Sequence, residues 1–134
     1  MKKILIFSLC FCCFIFASCE PTDPLDKFEI LKQKRLAFVD MLVAGQVDFD
    51  YYENGIVHYI IPEEYKNIAL DVYVYFYTDD RVTFYFTMNE GILGESSGVA
   101  YQTIVSRENL KENGLLYFFR GEKIEDNWYK AYTD

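Results

Sequence analysis

A chain of 134 residues with 51% hydrophobic side chains suits one compact core and is too short for several. Its 21 acidic against 13 basic residues leave a net charge of −8, which polyphosphate would repel. That balance argues against nucleic-acid binding and against charge-driven adhesion to anionic headgroups.

The chain opens with Met1-Lys2-Lys3, a positive n-region, followed by the apolar run Ile4 to Phe16. This is the layout of a secretory signal, and the run is shorter than the roughly 20 residues that span a bilayer. Phe16-Ala17-Ser18-Cys19 closes the run, and this FASC stretch resembles the lipobox of bacterial lipoproteins. The resemblance covers the signal alone, and Phe16 departs from the aliphatic residue usual at that place. Ordinary cleavage with release would instead want a small side chain where Phe16 stands. The resemblance implies cleavage after Ser18 and lipidation of Cys19, so that the chain is anchored to a bacterial cell membrane or outer membrane and faces the periplasm or the exterior. Several acyl chains would exceed the marginal hold of a single one. Cys10, Cys12 and Cys13 would leave with the signal, so Cys19 would be the sole mature thiol and no internal disulfide could form. Without Lys2 and Lys3, 11 basic residues face 21 acidic ones, a net charge of −10.

Residues 1–18 are thus expected as signal, 19–24 as tether and 25–134 as one domain. Asp23 is a candidate N-cap, with Pro24 at the first helical position. From there to about Gly45, Leu25, Phe28, Leu31, Leu36, Phe38, Val39, Leu42 and Val43 form a helical stripe. Lys32 and Arg35 interrupt it and are expected to snorkel from its edge.

Short strands follow. Val47 to Glu53 and Ile56 to Ile61 flank Asn54-Gly55, which predicts a type I′ hairpin with His58 across from Tyr51. Leu70 to Tyr77 and Val82 to Met88 flank Asp79-Asp80, while Val99 to Ser106, Leu115 to Arg120 and Trp128 to Tyr132 continue the pattern. Pro62 to Asn67 and Arg107 to Asn113 read as helical turns or loops, the second with Ser106 as N-cap and Gly114 as its stop. The fold class expected is α+β, with one N-terminal amphipathic helix packed on an antiparallel sheet of six or seven short strands.

Burial selects a three-residue loop for the second hairpin, with Tyr77 opposite Arg81 and a positive φ near Asp80. Val72, Val74, Phe76, Val82, Phe84 and Phe86 then share one face. The other face carries Tyr73, Tyr75, Tyr77 and Tyr85 with Thr83. Such rings could form a platform for a glycan, a peptide or an envelope protein, although tyrosine and threonine also suit any half-exposed strand.

Gly94-Glu95-Ser96-Ser97-Gly98 fits G-x-S-x-G, in which a nucleophilic serine sits between a strand and a helix. Here a strand follows, and the one histidine, His58, precedes Ser96. Ser96 is therefore expected as a loop serine, and His58 as a hydrogen-bonded histidine in a partly apolar face. Neither a metal-ligand set nor a phosphate loop nor any other cofactor motif is present in the sequence. The expectation is a non-catalytic, membrane-anchored ligand- or partner-binding module. An inhibitor or immunity-type protein is the first alternative, and an envelope hydrolase using carboxylates the second.

Overall fold

Asp23 opens a tight turn ahead of the helix. Its Oδ1 accepts the Leu25 N–H at 2.9 Å and its carbonyl accepts the Asp26 N–H, while Lys27 adopts a left-handed φ of 57°. A helix cannot run through that residue, so α1 spans Phe28–Val43 and does not start at Pro24. The computed structural model describes residues 23–52, 55–77, 80–113 and 119–133. The signal with Cys19, the turn residues Asn54 and Asp79, Gly114 and the expected strand residues from Leu115 to Phe118 lie outside them.

The C-terminus of α1 is closed by glycine. Gly45, at φ 70°, donates to the Leu42 carbonyl, and Gln46 donates to Met41, the paired bonds of a Schellman motif. Asn109 Nδ2 donates to the Val43 carbonyl at 3.2 Å and occupies another carbonyl of the last turn.

The chain is α+β with antiparallel strands, and these divide into two sheets instead of forming one. β1 (Phe49–Tyr51) and β2 (Val57–Tyr59) make a separate hairpin. A 3-10 turn at Glu63–Tyr65 leads to β3 (Asp71–Phe76), β4 (Arg81–Glu90), β5 (Ser96–Ile104), β6 (Phe119–Glu125) and β7 (Trp128–Thr133). Their order across the sheet is β3-β4-β5-β7-β6. From Arg107 to Asn113 the chain runs as turn and loop, with Glu108 N–H donating to Ser106 Oγ at 3.5 Å where the segment begins. Asn113 N–H donates to the Val74 carbonyl at 2.8 Å and so covers part of the outer edge of β3.

The two hairpins settle register differently. In β3–β4 the loop has the expected length: Phe76 pairs with Val82, Tyr77 N–H reaches the Arg81 carbonyl, and Asp80 has φ 66°. In β1–β2 the pairing slips by one residue from the expected one. Tyr51 pairs with Val57 and Asp50 with His58, around a loop ending at Gly55 with φ 75°. The slip turns Val57 and Tyr59 into the core and moves His58 to the other face. Burying two large apolar side chains outweighs the local preference of Asn-Gly for a two-residue turn.

The core lies between α1 and one face of the five-stranded sheet. Phe28, Phe38, Val39 and Leu42 meet Val72, Val74, Phe84, Phe86 and Trp128, with the Phe28 and Trp128 rings edge-on at 5.4 Å. Leu25 is exposed and takes no part in the stripe. Lys32 stays at its edge and pairs with Glu125. Arg35 is fully buried, contrary to the snorkelling expected of it. Its Nε donates to the Ile68 carbonyl at 3.1 Å, Nη2 lies 3.3 Å from the Met88 sulfur, and the guanidinium sits over the Phe86 ring. Burial pulls its pKa down to about 10. A loop carbonyl in the core needs a donor, and Arg35 supplies it.

β6 is the charged outer strand of the sheet, with Arg120, Glu122, Lys123 and Glu125 in sequence, charges that discourage further edge pairing. It continues past the expected strand end at Arg120 to Glu125, and the chain turns into its partner β7 through Asp126 and Asn127, the latter at φ 67°.

Candidate functional site

The sheet face turned away from α1 has its own chemistry. Across it, Tyr73, Tyr85, Ala100, Tyr129 and Lys123 lie in one row of paired residues, and Asp71, Thr87, Gly98, Ala131 and Gly121 in the next. Small residues on β5 and β7 therefore stand beside large tyrosines on β3 and β4. The result is a step in the surface, and a cavity of about 220 Å³ lies against it, lined by Tyr73, Tyr75, Tyr85, Glu90, Ser96 and Asn113 among others.

Three of the four tyrosines expected as an exposed row meet at this cavity. Tyr73 and Tyr75 are half-buried, and Tyr73 stacks on Tyr85 at 6.4 Å between centroids. Tyr85 is only 1% exposed, so it forms the wall of the site and not an open platform. Tyr77 is exposed and lines a different groove with Thr83, Gln102 and Tyr129. Tyr85 is buried because Ala100 and Ala131 let the ring settle against the sheet, forming a small second cluster with Tyr73, Tyr75 and Tyr129.

Ser96 is the first residue of β5 and not a loop residue. Its Oγ is 2.9 Å from the Tyr85 hydroxyl and 2.5 Å from Thr133 Oγ1, and its N–H donates to the same Thr133 oxygen. The two glycines of the motif serve different purposes. Gly94 takes φ 89° in the turn. Gly98 lies inside the strand beside the β4 irregularity at Thr87 and Asn89, where a Cβ would collide with the Phe86 carbonyl oxygen. These positions form a close strand pairing and not a strand-to-helix elbow.

Burial pushes the Tyr85 pKa up, the Ser96 and Thr133 hydroxyls oppose that shift, and the Glu90 charge adds to it. Glu90 is likewise raised, first by burial and then by the hydrogen-bonded Asp71 carboxyl, with His58 acting in the opposite direction. His58 Nδ1 is 3.3 Å from Asp71 Oδ1, and its ring lies 4.1 Å from Tyr52 and 5.7 Å from Tyr73. A polar chain His58–Asp71–Glu90 thus runs from β2 across the start of β3 to the cavity rim.

Among the described residues, no group of three or more His, Cys, Asp or Glu side chains is arranged to hold a metal ion. No helix among them is long and apolar enough to cross a membrane.

Sequence reasoning missed Glu90, Thr133 and Asn113. The first two had a detectable signal: once β4, β5 and β7 are in register, Glu90, Ser96 and Thr133 stand in one row. Asn113 had none, since it arrives on a loop hydrogen-bonded to β3. No family model, curated protein or solved structure matches this chain.

Proposed function

We propose that this chain is a lipid-anchored protein of the bacterial envelope whose tyrosine face binds a ligand or partner without carrying out chemistry on it. The observation that supports binding most directly is the convergence of Tyr73, Tyr75 and Tyr85 on one cavity together with Glu90, Ser96 and Asn113. Aromatic walls with a few polar groups suit recognition. At about 220 Å³ the cavity is below the roughly 300–1,000 Å³ of a typical small-molecule pocket, so one group of a larger glycan or peptide is the fitting occupant. The anchor reading rests on the FASC resemblance and Cys19.

Binding is tested with a Tyr73→Ala, Tyr75→Ala double variant against a glycan array and envelope fractions. Lost binding with retained folding supports the reading, and undiminished binding to every ligand found for wild type overturns it. Radiolabelled palmitate tests the anchor: label on wild type and none on Cys19→Ala is expected, and equal labelling refutes it.

An inhibitor-type protein is favoured by one further observation. Ile92 and Leu93 are almost fully exposed at the β4–β5 tip, and Gly91 and Gly94, which flank them, line the same cavity. An apolar tip on an acidic protein suits insertion into the cleft of a basic target. A stoichiometric complex that survives the tyrosine double variant and is lost on Ile92→Ser, Leu93→Ser would favour this reading.

A further inference from the structure

A second cavity adjoins the first along the seam between the two sheets. It measures about 410 Å³ and is lined by Asp50, Tyr52, His58, Ile60 and Leu70 among others. Both cavities lie on one face, because each draws on alternate residues of the same two segments. Ile56, just ahead of β2, lines the first cavity and His58 the second, while Tyr73 and Tyr75 of β3 line the first and Asp71 the second. Where they meet, His58 Nδ1 is 3.3 Å from Asp71 Oδ1 and its ring is 5.7 Å from that of Tyr73. Passing from one cavity to the next is therefore a step of two strand residues, about 7 Å.

Exposed apolar surface collects at the second cavity. Tyr52, Ile60 and Leu70 line it and are 59%, 49% and 58% exposed. Apolar groups scattered singly over a surface need no explanation, but three around one concavity of ligand size mark a contact site. Carboxylates outnumber cations among the described residues lining the two cavities. Asp50, Asp71 and Glu90 stand there with one lysine, Lys66, whose Nζ is paired with Glu63.

We infer that the two cavities together hold an extended, basic peptide segment that seats apolar side chains at positions i and i+2, one in each. The inference rests on the tyrosine face being a binding surface and names the class of its ligand. A step of about 7 Å is the same-side repeat of an extended chain, so alternate side chains of the ligand enter the cavities. The intervening positions suit Lys or Arg, which are long enough to bend back to the exposed rim carboxylates Asp50 and Glu90. The net charge of −8 favours the encounter with such a segment. A glycan fits less well, because Ile60, Ile61 and Leu70 offer no side-chain hydrogen bond to the hydroxyls it would bury.

The test is a calorimetric or NMR titration of the full chain at pH 7 and fixed ionic strength. The probes are acetyl-Lys-Leu-Lys-Leu-Lys-amide, its isomer acetyl-Lys-Leu-Leu-Lys-Lys-amide, the acidic acetyl-Glu-Leu-Glu-Leu-Glu-amide, and chitotetraose. The alternating basic peptide should bind roughly tenfold more tightly than its isomer, which can seat only one leucine at a time. It should also bind more tightly than the acidic peptide and chitotetraose. Ile60→Ser with Leu70→Ser, at exposed positions, should weaken it by roughly tenfold and remove the preference over the isomer. Tyr75→Ala should do the same through the first cavity, with the thermal midpoint of each variant checking that the fold is retained.

Equal affinity for the two basic isomers, no binding of the alternating peptide, or tighter binding of the acidic one overturns the inference. So does an affinity unchanged in either Ile60→Ser, Leu70→Ser or Tyr75→Ala. Tighter binding of chitotetraose than of the alternating peptide assigns a glycan and overturns the peptide class, while the tyrosine binding surface stands. If Tyr73→Ala, Tyr75→Ala retains every glycan and envelope ligand, the surface itself fails.

Discussion

Phe84 and Tyr85 are neighbours in β4 and face opposite ways, and they show how the two sides of one sheet are built. The Phe84 side is closed by α1, Val72, Val74, Phe86 and Trp128. The Tyr85 side is closed by its own rings over alanine and glycine, and a cavity remains. Both residues are essentially inaccessible, at 0% and 1% exposure. Equal burial therefore conceals different construction: on one side large groups interlock, and on the other a ring and its hydroxyl wall a site.

The comparison can be broken most directly at Phe84. Phe84→Ala removes a ring held between helix and sheet and should cost about 4 kcal/mol in urea unfolding. A loss under about 2 kcal/mol would mean that α1 does not seal that side. Gly98→Ala should cost about 3 kcal/mol, since the new Cβ has to push the β4 backbone away at Phe86. Its thermal midpoint falls while the helix-side packing residues are untouched, so a neutral result would deny the close β4–β5 approach.

Arg35→Met sharpens the contrast within the helix side. A methionine of similar reach relieves the buried cation but leaves the buried Ile68 carbonyl without its donor, so a net loss of about 1–3 kcal/mol is expected. Chemical denaturation decides; unchanged or raised stability would show that the Ile68 carbonyl does not depend on the guanidinium. Tyr85→Phe keeps the ring and removes the hydroxyl from Ser96, with an expected cost of about 1 kcal/mol. Much less would mean the hydroxyl trio carries no net stability. Ile92→Ser with Leu93→Ser, at exposed turn positions, should change unfolding stability by less than about 0.5 kcal/mol while testing partner contact separately.

Periodicity made much of this architecture legible. Phe28, Leu31, Phe38 and Leu42 recur at helical spacing, and the alternating Val72, Val74, Phe84 and Phe86 point to one buried face and one hairpin register. The same patterns misled where a competing contact won. Asp23 and Pro24 look like a helix start, yet Lys27 in a left-handed conformation moves α1 to Phe28. Asn54-Gly55 favours a two-residue turn, and the burial of Val57 and Tyr59 selects the other register. Arg35 carries a charge in the middle of the stripe, and a buried carbonyl more than thirty residues away explains it.

The sequence by itself determined the strand alternation that puts Tyr73, Tyr75 and Tyr85 on one side, because a strand's side chains alternate with a period of two. Only the tertiary structure decided that those rings wall a cavity, that Tyr77 stands apart, and that Ser96, Glu90 and Asn113 join them. The reason is physical: local pattern encodes which face a side chain takes. What meets it there depends on pairings between distant strands and on a loop whose Asn113 N–H bonds to the β3 edge.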